Sequence, residues 1–204
     1  MKKKSLILPF LLSVILLGGC AGGNAQGNDG TEQIEETSKA EQSDTVQQET
    51  PIALPEGLGG QAGFEAHDME GNTVSSEIFA QSKLTMVNVW ATYCNPCLRE
   101  MPALGELAQA YDAGDFQIIG IISDVPENAQ QEVIDMAEEL IEQTGAAYTH
   151  LLINESVYNA LLTDVAAVPT TFFFDENGVL LDTVVGAMEK SAWEEKIDGL
   201  LAEE

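Results

Sequence analysis

Basic residues are scarce in this chain. Eight Lys and Arg stand against 34 Asp and Glu, a formal net charge of −26. Phosphate backbones are held by Lys and Arg, so this balance excludes nucleic acid as a partner. So acidic a surface does not adhere to anionic lipid by charge either. Long apolar runs are also missing. The most apolar stretch, Leu6 to Leu17, is too short for a comfortable transmembrane helix. Histidine is limited to His67 and His150, neither in a ligand motif, and both read as structural. There are three cysteines, Cys20, Cys94 and Cys97, and a close pair supplies half of a four-ligand metal site. No segment repeats, and nothing calls for a cofactor. What is present is apolar material, 45% of 204 residues, enough to build the core of one domain with additional segments.

The most informative stretch is Trp90 to Cys97, WATYCNPC. A β-type run, Leu84 to Trp90, leads in, and a helical run, Leu98 to Tyr111, leads out. Two cysteines two residues apart therefore sit where a strand hands over to a helix. A helix N-terminus carries unpaired N–H groups and a partial positive charge. A thiol placed there loses its proton more readily, and the thiolate is the nucleophile. Pro96 suits the first turn, where its missing N–H costs nothing. The spacing lets Cys94 and Cys97 close a small disulfide ring. A purely structural disulfide is the competing reading, and the strand-to-helix placement weighs against it.

The N-terminus reads as a targeting signal. Lys2, Lys3 and Lys4 precede the apolar run, and small residues precede Cys20. Leu17-Gly18-Gly19-Cys20 resembles a bacterial lipobox, which implies cleavage after residue 19 and lipid on Cys20. With Cys20 so used, the remaining cysteines are the CxxC pair and no odd thiol is left. Residues 20–60, rich in Gly, Asn, Gln, Ser, Thr and Glu, cannot bury enough apolar surface to offset their ordering entropy. They read as a flexible acidic tether, with an end-to-end distance of about 35 Å as a free coil.

Residues 61–204 read as one α/β domain. Phe64–His67 and Asn72–Val74 suggest a hairpin around Glu70-Gly71, followed by a helical turn at Ser76–Ala80. Leu84–Trp90 and Phe116–Ser123 are near-continuous apolar runs, as buried parallel strands are. With the intervening helix they form a βαβ unit. Pro102 predicts a kink one turn into that helix. Asn128–Thr144 is helical with Gly145 as its C-cap. Tyr148–Ile153 is a strand and Ser156–Leu162 a short helix. Thr171–Phe174 and Val179–Val185 form a hairpin, for which Asn177-Gly178 predicts a type I′ turn. Ser191-Ala192-Trp193-Glu194 reads as a capping box opening the last helix.

These motifs together resemble the thioredoxin superfamily, and within it the membrane-anchored oxidoreductases of the TlpA/ResA type. The resemblance is carried by Asn88-Val89-Trp90-Ala91-Thr92-Tyr93-Cys94-Asn95-Pro96-Cys97, by Glu100-Met101-Pro102 and by Val168-Pro169-Thr170-Thr171-Phe172. It covers about residues 61–204. It implies a thioredoxin fold: a central mixed sheet flanked by helices, with an N-terminal hairpin and an inserted helix at Asn128–Thr144. It implies a cis peptide bond at Pro169 beside the disulfide, Trp90 as a wall against it, and Glu100 as proton acceptor near Cys97. Read unaided, Glu100 is a solvated acid on the helix face. Two departures stand out. Asn88 occupies the place of the buried Asp of thioredoxins, and Tyr93 that of a second Trp. The Pro-x-x-x-Thr-x-x-Cys pattern of peroxiredoxins is missing.

The implied function is extracytoplasmic thiol–disulfide exchange, reducing protein disulfides through Cys94 and Cys97. The chain would be lipid-anchored at the outer face of a bacterial cell membrane. Partners would be disulfide-containing extracytoplasmic proteins and a membrane thiol electron donor of the CcdA/DsbD kind. A DsbA-type oxidase shares the chemistry and reverses its direction. A thioredoxin-like copper-delivery protein would use the same soft thiolates as metal ligands.

Overall fold

The structure is a computed structural model that describes residues 63–203. The signal at 1–19, the tether at 20–60 and Cys20 lie outside the described residues.

The chain forms β1 (Glu65–His67), β2 (Thr73–Ser75), a 3-10 turn (Ser76–Gln81), β3 (Leu84–Trp90), α1 (Asn95–Ala110), β4 (Phe116–Pro126), α2 (Gln131–Thr144), β5 (Thr149–Ile153), α3 (Glu155–Val157) running into a π turn (Tyr158–Leu162), β6 (Thr170–Asp175), β7 (Leu180–Val185) and α4 (Lys190–Ala202). The sheet order is β5-β4-β3-β6-β7, with β1 and β2 forming a separate antiparallel pair. β3 pairs parallel with β4, and β4 with β5. β6 and β7 complete the sheet in antiparallel fashion. This is the mixed sheet flanked by helices that the family resemblance implies.

β3 lies at the centre because all seven of its residues are buried, which only a strand covered on both faces tolerates. Alternation then divides its side chains between two cores. Val87 and Val89 join Ile119, Ile121, Phe172 and Phe174 under the hairpin and the 3-10 turn. Met86 and Trp90 face the other way, toward α1, α2 and α4. The β5 edge is covered: Asp68 bridges to Leu151, and the Met69 N–H donates to the His150 carbonyl.

Four local expectations change. α1 begins at Asn95, ahead of the Leu98 start read from the apolar pattern. α2 starts at Gln131 rather than Asn128, because β4 extends to Pro126 and a tight turn intervenes. The β6–β7 turn is not type I′. The Gly178 N–H donates to the Asp175 carbonyl, so Gly178 ends the turn at φ 73°. The Asp175 carboxylate takes the Asn177 and Val179 N–H groups, which favours this longer turn. Ser191 is not an N-cap: α4 already starts at Lys190, and the Ala192 and Trp193 N–H groups donate to the Glu189 carbonyl. The entry to α4 is held instead from α1, where Glu100 accepts the Met188 N–H and Glu106 pairs with Lys190 at 2.8 Å.

Candidate active site

Strand β3 ends at Trp90, and the chain turns through Ala91-Thr92-Tyr93 into α1. Asp124, from the irregular end of β4, holds that turn. Its carboxylate accepts the Thr92 N–H at 3.0 and 3.2 Å and the Thr92 hydroxyl at 2.5 Å. Cys94 is the N-cap of α1, and its Sγ accepts from the Cys97 N–H at 3.3 Å. The sulfurs of Cys94 and Cys97 form a disulfide. Cys94 is 5% exposed and Cys97 0%, so an incoming thiolate or disulfide meets Cys94 first. Cys94 Sγ lies 3.6 Å from the Val168 carbonyl oxygen, and the Val168–Pro169 bond is cis. Beside this contact a groove is lined by Tyr93, Tyr158, Leu162, Val165, Ala167 and Val168. Tyr93 is exposed at its rim.

Glu100 lies one helical turn behind Cys97 and is 3% exposed, which excludes the solvated-acid reading. Its Oε1 accepts from Asn88 Nδ2 at 3.2 Å, and its Oε2 from the Met188 N–H at 3.2 Å. Asn88 Nδ2 also donates to Thr171 Oγ1 at 3.0 Å. Burial pushes the Glu100 carboxyl up from 4.5 to about 7, against the pull of those two donors. The Trp193 indole also faces the carboxylate and favours its charged form, although Nε1 makes no hydrogen bond of normal geometry. A carboxyl balanced near neutral pH can take a proton and return it.

Trp90 is buried beside the cysteine pair, and its indole N–H donates to His150 Nδ1 at 3.1 Å. His150 Nε2 therefore carries the hydrogen and donates to the Ala146 carbonyl at 2.9 Å. Burial lowers the His150 pKa to about 4, so the ring is neutral at physiological pH. Gly120 makes room for it: a Cβ there would stand 2.1 Å from His150 Nδ1. His67 is half-exposed and far from this cluster in role, pairing with Glu127 at 3.0 Å. Among the described residues, no group of three or more His, Cys, Asp or Glu is placed to share a metal ion.

The structure thus brings Cys94, Cys97, Glu100 and Pro169 to one end of the sheet and leaves Cys20 outside the described residues. Sequence reasoning missed Asp124 and the part played by Trp193. Asp124 sits in no motif and Trp193 only in the capping-box run; they reach the site from a strand end and from a helix distant in the chain.

A family model described as AhpC/TSA matches residues 59–183. The chain belongs to the AhpC/TSA family. Thioredoxin-like protein YneN of Bacillus subtilis is 33% identical over 145 residues, 69% of this chain and 81% of that protein. Thiol:disulfide interchange protein DsbE of Pasteurella multocida is 29% identical over 197 residues, 95% of this chain and 93% of its own. The pneumococcal exposed lipoprotein thioredoxin Etrx1 of Streptococcus pneumoniae superposes with a TM-score of 0.51 at 25% identity, covering 67% of this chain and 98% of that one. This AhpC/TSA member has the thioredoxin fold and is a thiol–disulfide oxidoreductase, with Cys94 and Cys97 as its CxxC dithiol.

Proposed function

We propose that this chain reduces disulfides of extracytoplasmic proteins while lipid-anchored through Cys20 to the outer face of a bacterial cell membrane. The observation that carries the reading is the asymmetry of the cysteine pair. Cys94 caps α1 at the mouth of a groove, and Cys97 is sealed beneath it, one turn from a buried carboxyl. In the reduced enzyme the helix N-terminus and the Cys97 N–H stabilise the Cys94 thiolate. That thiolate attacks a substrate disulfide, forming a Cys94–substrate disulfide and expelling one substrate thiolate. Glu100 takes the Cys97 proton. The Cys97 thiolate attacks Cys94 Sγ, reforming the pair and expelling the second substrate thiolate. The groove beside Cys94, apolar with tyrosines at Tyr93 and Tyr158, receives the chain flanking the substrate cystine.

Two electrons must then return to the disulfide from a membrane thiol donor, of the CcdA/DsbD kind by resemblance. The anchor is supported by the Leu17-Gly18-Gly19-Cys20 run and by likeness to a protein whose name includes exposed lipoprotein. Among the described residues no helix is long and apolar enough to cross a membrane.

Equilibration of Cys94/Cys97 with glutathione buffers tests the direction. A reductant settles near about −270 mV or below, as thioredoxin does, and an oxidant near about −120 mV, as DsbA does. A value at the oxidising end overturns the reductase reading. Stoichiometric copper or zinc retained by the reduced protein through gel filtration would favour metal delivery instead.

A further inference from the structure

Strand β4 breaks its register where it passes the cysteine turn. Ile122 pairs with Leu152 of β5, yet Pro126 pairs with Ile153, the next residue. Ser123, Asp124 and Val125 therefore form a bulge with no partner in β5. Consecutive side chains of a regular strand point to opposite faces. Here Ser123 and Asp124 both reach the turn between β3 and α1. Ser123 Oγ donates to the Trp90 carbonyl at 2.9 Å, and the Asp124 carboxylate accepts the Thr92 N–H and hydroxyl. Bulges re-aim side chains in this way, and they are over-represented next to active sites.

These contacts hold the turn on either side of Ala91, whose own carbonyl accepts the Cys94 N–H at 3.0 Å. In the oxidised protein this tie is redundant, because the disulfide already holds the Cys94 sulfur against Cys97. Once the pair is reduced, or Cys94 is joined to substrate, that bond is gone. A Cys94 thiolate then keeps its stabilisation only while its sulfur stays at the N-cap, where it accepts the Cys97 N–H at 3.3 Å. A carboxylate makes a strong clamp, since hydrogen bonds to an ionised acceptor are roughly twice as strong as neutral ones. It also stands two residues along the chain from a second anion, and a like charge disfavours a thiolate. Clamp and charge act on the thiolate with opposite sign, so a substitution can tell them apart.

We propose that Asp124 is a positioning residue for Cys94: by clamping Thr92 it holds the reduced sulfur at the N-cap of α1, between the Cys97 N–H and the Val168 carbonyl. The proposal rests on Cys94 being the attacking thiol. Other charged or titratable groups around the pair are Tyr93 in the turn and Arg99 on α1, both exposed, and Glu100 behind Cys97. β3 presents Trp90, whose indole partner His150 is neutral, and the chain entering β6 presents only the Val168 carbonyl. Thr92 and Asp124 bond through their side chains to each other alone.

The pH midpoint of Cys94 alkylation by iodoacetamide, followed on the reduced full chain by mass mapping, tests this. Thr92→Val removes the hydroxyl at nearly constant volume and leaves the net charge alone. It should raise the midpoint by about half a unit, about a threefold loss of thiolate at lower pH. Thr92→Ser keeps the hydroxyl and should keep the parent midpoint. Asp124→Asn should also raise the midpoint, although loss of the charge by itself would lower it. A midpoint that stays put in Thr92→Val, that falls in Asp124→Asn, or that moves as far in Thr92→Ser as in Thr92→Val overturns the proposal. If Asp124→Asn does not fold, the two Thr92 variants decide alone. A parent protein in which Cys97 alkylates first instead removes Cys94 as the attacking thiol, whatever Asp124 does.

Discussion

Glu100→Gln should make the oxidised domain more stable at neutral pH and not at acid pH. Burial at 3% exposure raises the Glu100 carboxyl from 4.5 to about 7. Below pH 4.5 the group is neutral in both folded and unfolded chains and contributes no pH dependence. Between pH 4.5 and 7 the unfolded chain loses this proton while the folded chain keeps it. The folded state then binds more protons, so its stability falls as pH rises. Above pH 7 the loss is complete at about 3 kcal/mol. A glutamine cannot ionise and carries no such slope. Its altered bonds to Asn88 and Met188 add an offset that does not vary with pH. The difference in unfolding free energy between variant and parent should therefore grow by about 3 kcal/mol from pH 4 to pH 8. At roughly 4 °C per kcal/mol for a domain of this size, that is about 12 °C in Tm. Urea unfolding of both disulfide-intact proteins across that range measures it. Parallel stability curves would refute the buried, proton-retaining carboxyl.

Two further outcomes are expected. In the reduced protein Cys94 should alkylate with iodoacetamide faster than Cys97; Cys97→Ser should trap a mixed disulfide with substrate while Cys94→Ser should not, and faster alkylation of Cys97 would reverse the assigned roles. Cys20→Ser should release the protein from membranes, and a variant that still sediments with membranes as the parent does would refute the lipid anchor.

Much of the site was legible because its chemistry sits in contiguous motifs. A strand running into CxxC and a helix is local in sequence, and Cys94 and Cys97 follow from that one run, whereas the parts of Trp90 and Pro169 came from the family resemblance. The burial of Glu100 was not legible. One turn after Cys97 on a helix that is polar on one side, it has no local signal separating it from a solvated acid, and only the resemblance pointed otherwise. Asp124 was hidden for a related reason: it lies at the frayed end of a strand, where periodicity carries no information. The capping box at Ser191 failed because a long-range bond, from the Met188 N–H to Glu100, fixes the entry to α4 ahead of the motif.

By itself the sequence determined the two periodicities, the strand-to-helix placement of the cysteines and the covered central strand, because these depend on side-chain alternation and end effects within a few residues. Tertiary structure alone decided how protons are held behind the disulfide. Desolvation of Glu100 requires α1, α4 and β3 to close over it together. The clamp on Trp90 requires His150 to lie against a position, Gly120, that has no side chain. A pKa depends on everything within a few ångströms, and those neighbours here come from residues 88 to 193, which no local reading of the chain brings together.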